Sequence, residues 1–133
     1  FEVIKTLDAD VKFMGTVPND QIPSILNDYK YYILASEYEG MPKTLLEAMA
    51  CGNLCIGTKV EGIEEVIADG VNGYLAEDTS VTAIREAIER AENDRQFEEK
   101  KEAAQKYIRE KYSIQSVLDK EKELCSQFWE GKN

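Results

Sequence analysis

The stretch from Tyr31 to Gly52 constrains the possible folds of this chain more than any other part of it. It opens with an apolar run rich in β-forming residues, YYILA at 31–35, which predicts a buried strand. After a turn, apolar residues recur at helical spacing over 45–49, and Pro42 suits the first position of that helix. The stretch therefore predicts a strand, a turn and a helix, whose N-terminal amides and positive dipole end offer a site for phosphate.

Two glutamates flank the start of the predicted helix. Glu39 lies in the turn before it, and Glu47 shares a helix face with Lys43, Thr44 and Cys51. The helical rise places the two carboxylates roughly 10 Å apart. That separation is too large for the two carboxylates of a retaining glycosidase, which lie about 5 Å apart. It fits a ligand that lies across the helix end, with hydroxyl groups at both ends and phosphate between them. The alternative is that both glutamates belong to an ordinary solvated surface.

The charge of the chain excludes several classes of function. Its 133 residues carry a formal net charge of −10 and include no histidine. This acidic balance argues against a surface for nucleic acid or anionic lipid, and these residues provide no histidine-based triad or metal site. A phosphate group would depend on local amides and a few lysines. The length and the 43% hydrophobic content suit a single domain with one core.

Cysteine content and hydropathy predict a cytoplasmic location. Cys51, Cys55 and Cys125 are an odd number, and the second cysteine pair that a zinc site would need is missing. We therefore expect reduced thiols and no structural metal. No apolar run in the 133 residues reaches the length of a membrane span.

The remaining sequence predicts strand–helix units followed by helices. Further strands are predicted at 11–14, 54–57 and 73–76, which with 31–35 would form a parallel sheet. The other predicted elements are the tail of a helix at 1–7, a helix capped by Asn19 or Asp20 that runs to about Tyr29, a short helix at 62–68, and long helices capped by Ser80 and Ser113. We divide the chain into strand–helix units at 1–78 and C-terminal helices at 79–133.

Residues 39–52, EGMPKTLLEAMACG, resemble the signature of retaining nucleotide-sugar glycosyltransferases with the GT-B fold. The similarity is greatest to glycosyltransferase family four, the "group one" transferases, and extends from Val11 to about Tyr112. It implies an α/β fold, a Rossmann-like parallel sheet with flanking helices that forms the C-terminal, donor-binding half of the GT-B fold. By this resemblance the chain is N-terminally incomplete, because it starts in the helix before the third strand of that domain.

The resemblance implies transfer of a sugar, with retention, from a nucleotide-diphosphate sugar to a glycan, lipid or small-molecule acceptor. We expect a uridine nucleotide. Glu39 would be the catalytic residue near the donor sugar, and Glu47 would accept hydrogen bonds from the ribose hydroxyls. The other implied donor-binding residues lie around the phosphates, at Gly40, Met41, Pro42, Lys43 and Thr44, and beside the base, at Gly15, Thr16 and Val17. No metal or other cofactor is expected, since the helix dipole and cations neutralise the diphosphate.

The segment 61–65 departs from the family pattern. The family has two glycines, an apolar residue, a proline and a glutamate here, whereas this chain reads EGIEE. Gly62 and Glu65 match the pattern, but Glu61 replaces a glycine and Glu64 replaces the proline. In the family this loop faces the cleft near the diphosphate. An added carboxylate there would repel phosphate, which argues against donor contacts by this loop.

The resemblance also implies partners outside this sequence. Acceptor recognition would belong to an N-terminal acceptor domain, and the basic pair that grips the diphosphate would also lie upstream of the matched region. The full-length enzyme would be cytoplasmic and peripheral to the membrane. Two alternatives stay open: a non-catalytic module that binds nucleotide sugars, and another GT-B enzyme of the glycogen-synthase, phosphorylase or epimerase type.

The family's strand order, three-two-one-four-five-six, raises a question about the sheet. If the first two strands are missing, strand 11–14 is expected to move beside strand 31–35, which gives four parallel strands in sequence order. The helices from Ser80 onward, together with a homodimer of this domain, would then cover the second apolar face. The alternative is that the missing strands lie outside the given residues or come from another chain.

Overall fold

The computed structural model describes residues 10–130, without the side chains of residues 124, 125 and 127–130. A 3₁₀ turn at Asn19–Gln21 precedes the first α-helix. In chain order, the elements are α1 (Ile22–Asn27), β1 (Tyr31–Leu34), α2 (Lys43–Cys51), β2 (Leu54–Thr58), α3 (Glu61–Glu64), β3 (Tyr74–Ala76), α4 (Val81–Glu92), α5 (Phe97–Tyr112) and α6 (Ile114–Glu130). The helix predicted at 1–7 lies outside the described residues.

The strands form one parallel sheet in the order β1-β2-β3. Tyr31 of β1 pairs with Leu54 of β2, and Ile56 of β2 pairs with Tyr74 of β3. All five residues of the central strand β2 are buried, as expected for a parallel strand with helices on both sides. The predicted α/β fold with a parallel sheet and flanking helices is confirmed.

The prediction of a strand at 11–14 is wrong. Residues 10–15 have no regular secondary structure, and the side chains of Val11, Phe13 and Met14 are exposed. Alternation over four residues is a weak signal, because a short strand is stable only when neighbouring strands and a packed face support it. The expected four-stranded sheet is therefore wrong as well, since within residues 10–130 the only strand that pairs with β1 is β2.

Helices cover both faces of the sheet because successive side chains of β2 point to opposite sides. The first core lies between the sheet and helices α2, α3 and α5, and it contains Leu45, Ala48, Met49, Cys55, Ile63, Val66, Ile67 and Ala104. The second core lies between the sheet and α4, and it contains Leu54, Ile56, Tyr74, Ala76, Ala87 and Ala91. Helix α4 thus covers the second face of the sheet, as predicted, whereas α5, which was expected on the same face, packs in the first core.

The helix ends show which capping predictions hold. The Ser80 hydroxyl accepts a hydrogen bond of 3.2 Å from the Ala83 amide, and the Ser113 hydroxyl accepts one of 3.1 Å from the Ser116 amide. These bonds confirm the predicted caps of α4 and α6. The cap predicted at Asn19 or Asp20 is wrong, because both residues lie inside the 3₁₀ turn, and α1 begins only at Ile22.

Candidate functional site

The turn between β1 and α2 is fixed to the end of β2 by hydrogen bonds. The Thr58 hydroxyl donates to the carbonyl oxygen of Ser36 and accepts a bond of 3.1 Å from the Ser36 amide. The Ser36 hydroxyl in turn donates to Oε1 of Glu39 at 2.8 Å. The half-buried Glu39 therefore stands at the end of a series of bonds that starts at a buried threonine. Ser36 and Thr58 were not among the residues predicted from sequence.

The first turn of α2 leaves some amides unbonded. Pro42 is buried and occupies the N-cap rather than the predicted first helical position, and its carbonyl accepts bonds of 3.0 and 3.1 Å from the amides of Leu45 and Leu46. The reason is a tight turn in which the Lys43 amide donates to the Met41 carbonyl at 2.9 Å. Within the described residues, the amides of Met41 and Thr44 donate no hydrogen bond, so both can bind an anion.

Tyr32 of β1 links the sheet to the start of α2. Its hydroxyl donates a hydrogen bond of 2.8 Å to Oγ1 of Thr44. Burial raises the pKa of the Tyr32 phenol, and the nearby carboxylates of Glu39 and Glu47 raise it further. Both glutamates therefore lie within electrostatic reach of one phenol. The sequence analysis assigned Tyr32 only to the strand, because its contact with Thr44 spans twelve positions.

The exposed face of α2 has the predicted composition. Lys43, Thr44 and Glu47 are exposed, and Cys51 is half-buried one turn after Glu47. Burial raises the pKa of the Cys51 thiol, and the charge of Glu47 adds to the rise. This thiol is therefore a poor nucleophile at neutral pH, because the thiolate is the reactive form. Burial also raises the pKa of the Cys55 thiol.

The segment Gly15–Val17 lies before the 3₁₀ turn. Gly15 has a φ of 66°, which favours glycine, and Val17 is half-buried while Thr16 is exposed. Within the described residues, no hydrogen bond joins this segment to the turn at 39–44. The predicted contact of these three residues with a base therefore stays a prediction.

A pocket of about 210 Å³ separates the turn at 38–40 from the start of α3. Its lining residues are Tyr38, Glu39, Gly40, Glu61, Gly62 and Glu65. Three of these side chains are carboxylates, which as ions accept hydrogen bonds from hydroxyl groups and repel phosphate. The pocket beside Glu39 therefore suits polyhydroxyl groups, whereas the start of α2 with its unbonded amides suits phosphate.

The described part of the chain has neither a cluster of metal ligands nor a membrane-spanning helix. No group of three or more aspartate, glutamate or cysteine side chains within it is arranged to hold a metal ion. None of its helices combines the length and the hydropathy that crossing a membrane requires.

These features together define a class of protein. A parallel sheet whose first described strand leads into a helix with unbonded N-terminal amides is typical of α/β proteins that bind ligands at the carboxyl ends of their strands. Residues 4–111 match the sequence pattern of the family Glycosyl transferases group 1. The chain belongs to that family.

Relatives of known name agree with this membership. The chain is 31% identical over 118 residues to N-acetyl-alpha-D-glucosaminyl L-malate synthase of Bacillus anthracis, and the match covers 88% of this chain and 31% of that protein. It is 30% identical over 118 residues to the poly(ribitol-phosphate) alpha-N-acetylglucosaminyltransferase of Staphylococcus aureus, with 87% and 24% covered. The chain thus spans less than a third of the length of these relatives.

Solved structures share the fold. Anabaena HepE in complex with UDP and glucose aligns with a TM-score of 0.81 at 23% identity, over 94% of this chain and 34% of that one. A mutant of S. aureus TarM, in complex with Fondaparinux, alpha-GlcNAc-glycerol and UDP, aligns with a TM-score of 0.68 at 30% identity, over 78% of this chain and 22% of that one. These likenesses confirm the predicted similarity to part of the GT-B fold.

Proposed function

We propose that this chain is the donor-binding half of a retaining glycosyltransferase. The enzyme transfers a sugar from a uridine-diphosphate sugar to a glycan, lipid or small-molecule acceptor. The proposal is supported by family membership, by relatives named as an N-acetyl-alpha-D-glucosaminyl L-malate synthase and an alpha-N-acetylglucosaminyltransferase, and by neighbours solved with UDP. The observation that carries it is the pair Glu39 and Glu47 on either side of a helix start with unbonded amides at Met41 and Thr44.

Each part of a nucleotide sugar has a chemically suited partner in this arrangement. Glu47, exposed on α2, accepts hydrogen bonds from the ribose hydroxyls. The amides of Met41 and Thr44 and the exposed Lys43 bind the diphosphate at the positive end of the helix dipole. The segment Gly15–Val17 lies beside the base. Because the chain as a whole is acidic, with a net charge of −10, these local donors bind phosphate against the overall field.

The proposed chemistry is electrostatic. As the bond between sugar and diphosphate breaks, negative charge develops on the leaving phosphate and positive charge on the sugar. The helix-start amides stabilise the first charge without a bound metal, and the carboxylate of Glu39 stabilises the second. Acceptor binding belongs to a separate N-terminal domain of the enzyme, and further cations for the diphosphate lie upstream of the region that resembles the family.

A second candidate function is a binding module without catalysis. The observation that favours it is the acidic pocket, where Glu61 stands beside Glu39 in place of a family glycine, so that the surroundings of the proposed catalytic carboxylate depart from the family pattern. Both functions predict nucleotide binding. Only the glycosyltransferase predicts that the bond between sugar and diphosphate is cleaved when the acceptor domain is present.

An NMR titration of the ¹⁵N-labelled chain with UDP tests the proposed site. We expect weak, saturable binding with the largest amide shifts at Met41 and Thr44, because these groups would donate new hydrogen bonds. Glu47→Ala is expected to weaken this binding, whereas Glu98→Ala on the exposed face of α5 serves as a charge-matched control with no effect. Shifts confined to residues outside 39–47 would contradict the site. The chain by itself is expected to show no sugar transfer, and turnover by it alone would contradict the two-domain proposal.

A further inference from the structure

We infer that Ser36 and Thr58 are positioning residues that hold the Glu39 carboxylate in its working orientation. This inference rests on the proposed function, because it assigns the orientation of the residue proposed to act on the donor sugar. The Thr58 hydroxyl bonds the backbone amide and carbonyl of Ser36, and the Ser36 hydroxyl bonds the candidate catalytic carboxylate, so the series passes from the central strand to Glu39 through the backbone of Ser36.

The series begins where two strands separate. Leu34 and Gly57 form the last pair between β1 and β2, and the next residue of β2 is Thr58, which is 1% exposed. Its hydroxyl both donates to the carbonyl of Ser36 and accepts from the amide of Ser36. A buried side chain thus bonds the two backbone groups that lose their sheet partners when the chain turns away. The position of Ser36 is therefore set by the core of the domain.

The series continues across the turn to the carboxylate. Ser36 Oγ lies 2.8 Å from Oε1 of Glu39, and the carbonyl of Glu39 accepts a bond of 3.2 Å from the Gly62 amide. Glu39 is therefore held by its side chain and by its backbone. Within the described residues, its second carboxylate oxygen makes no hydrogen bond, which leaves that oxygen available to a ligand. A catalytic group that is fixed before the substrate arrives needs no reorganisation during the reaction.

The second glutamate differs in this respect. Glu47 is exposed, and its carboxylate makes no hydrogen bond within the described residues. Only one of the two glutamates is therefore held in place before a ligand binds. This difference suits a division of roles in which Glu39 acts on the transition state and Glu47 contributes to binding of the ground state.

The test is steady-state kinetics of the full-length enzyme that contains this chain, with a UDP-sugar as donor. Ser36→Ala is expected to lower kcat roughly tenfold and to leave the donor KM unchanged, because a hydrogen bond to a charged group is lost away from the nucleotide. Ser36→Thr keeps the hydroxyl and is expected to restore most of the rate. Thr58→Val, which removes the hydroxyl that bonds Ser36, and Thr58→Ser, which keeps it, form the corresponding pair at position 58. Ser113→Ala, which removes a serine hydroxyl from a helix cap outside the site, is the control and keeps the wild-type rate.

A double variant separates positioning from a general structural role. In the Glu39→Gln background, Ser36→Ala is expected to cause no further loss of kcat, because the two residues act as one unit. A full additional loss in that background, or a wild-type kcat for Ser36→Ala while Glu39→Gln is slow, would overturn the inference. A wild-type kcat for Glu39→Gln would instead overturn the proposed function. If Thr58→Val fails to fold, the Ser36 variants decide the question.

Discussion

The amide nitrogen of Gly62 lies 3.2 Å from the carbonyl oxygen of Glu39 and donates a hydrogen bond to it. A Cβ atom at position 62 would overlap the carbonyl oxygens of Glu39 and Gly40. Glycine is needed here because two backbone segments approach each other closely, at the start of α3 and in the turn before α2. The contact joins a segment that departs from the family pattern to the turn that contains the candidate catalytic residue.

We predict that Gly62→Ala lowers the free energy of unfolding by about 1–3 kcal/mol, because backbone atoms cannot give way as a flexible side chain can. Urea denaturation of the purified chain measures this change. Gly40→Ala is the matched control, since a Cβ at position 40 meets no atom within 4 Å. Equal stability of the Gly62 variant and the wild type would show that the close approach is not a constraint.

Gly40→Ala is predicted to affect binding and not stability. The space beside Gly40 is open in the described structure, and we propose that the donor phosphate approaches the backbone there. A methyl group would keep the phosphate away from the adjacent amides, so we expect the donor KM to rise roughly tenfold, or about 1.4 kcal/mol. Donor KM and the urea midpoint are measured on the same preparations. A rise in KM that is matched by a loss of stability would argue against a local effect.

The part of the site that sequence predicts well is local. The YYILA run, the turn residues and the apolar stripe of α2 are close in sequence, and the structure contains the predicted strand, turn and helix. The caps at Ser80 and Ser113 also depend on residues only three positions away. Such short-range patterns determine local conformation directly, which is why they can be recognised without a structure.

The part that sequence does not predict depends on distant pairs. Thr58 bonds to Ser36 across 22 positions, and Tyr32 bonds to Thr44 across 12. Nothing in the periodicity of either strand indicates which hydroxyl reaches which partner. The failed strand at 11–14 has the same origin, because its alternation had no neighbouring strand to support it. Long-range pairing decides both outcomes, and residue spacing does not contain it.

A buried ion pair outside the site offers a test of the fold. Lys100 Nζ lies 3.0 Å from Oδ2 of Asp94, with both side chains at most 10% exposed, and that oxygen also accepts a bond of 2.7 Å from the Tyr74 hydroxyl. Lys100→Met leaves the buried carboxylate without its cation, so we predict a loss of about 3 kcal/mol in the free energy of unfolding.

The control for this variant is Lys106→Met on the same helix. Lys106 lies 3.9 Å from Glu110 in an exposed pair, and exposed pairs contribute about 0–1 kcal/mol. Urea denaturation of both variants gives the comparison. Losses of similar size in the two variants would mean that the Lys100 pair is not a buried one.

The pKa of the Tyr74 phenol predicts how the free energy of unfolding changes at high pH. Burial and the hydrogen bond to Asp94 raise the pKa of its phenol to about 12, whereas an unfolded tyrosine titrates at about 10. The folded state therefore holds this proton more tightly. Its contribution to stability is complete below about pH 10 and is lost as the pH rises toward about 12. The free-energy difference between wild type and Tyr74→Phe is therefore predicted to shrink as the pH rises from about 10 to about 12. A difference independent of pH would contradict the raised pKa.

We propose that Glu39 and Glu47 together hold a nucleotide sugar across the start of α2. The most direct test is steady-state kinetics of the full-length enzyme with Glu39→Ala and Glu47→Ala. We predict that Glu47→Ala mainly raises the donor KM and Glu39→Ala mainly lowers kcat, each by roughly ten- to more than a hundredfold, which corresponds to about 1.5–3 kcal/mol. Wild-type values of both constants in both variants would contradict the claim.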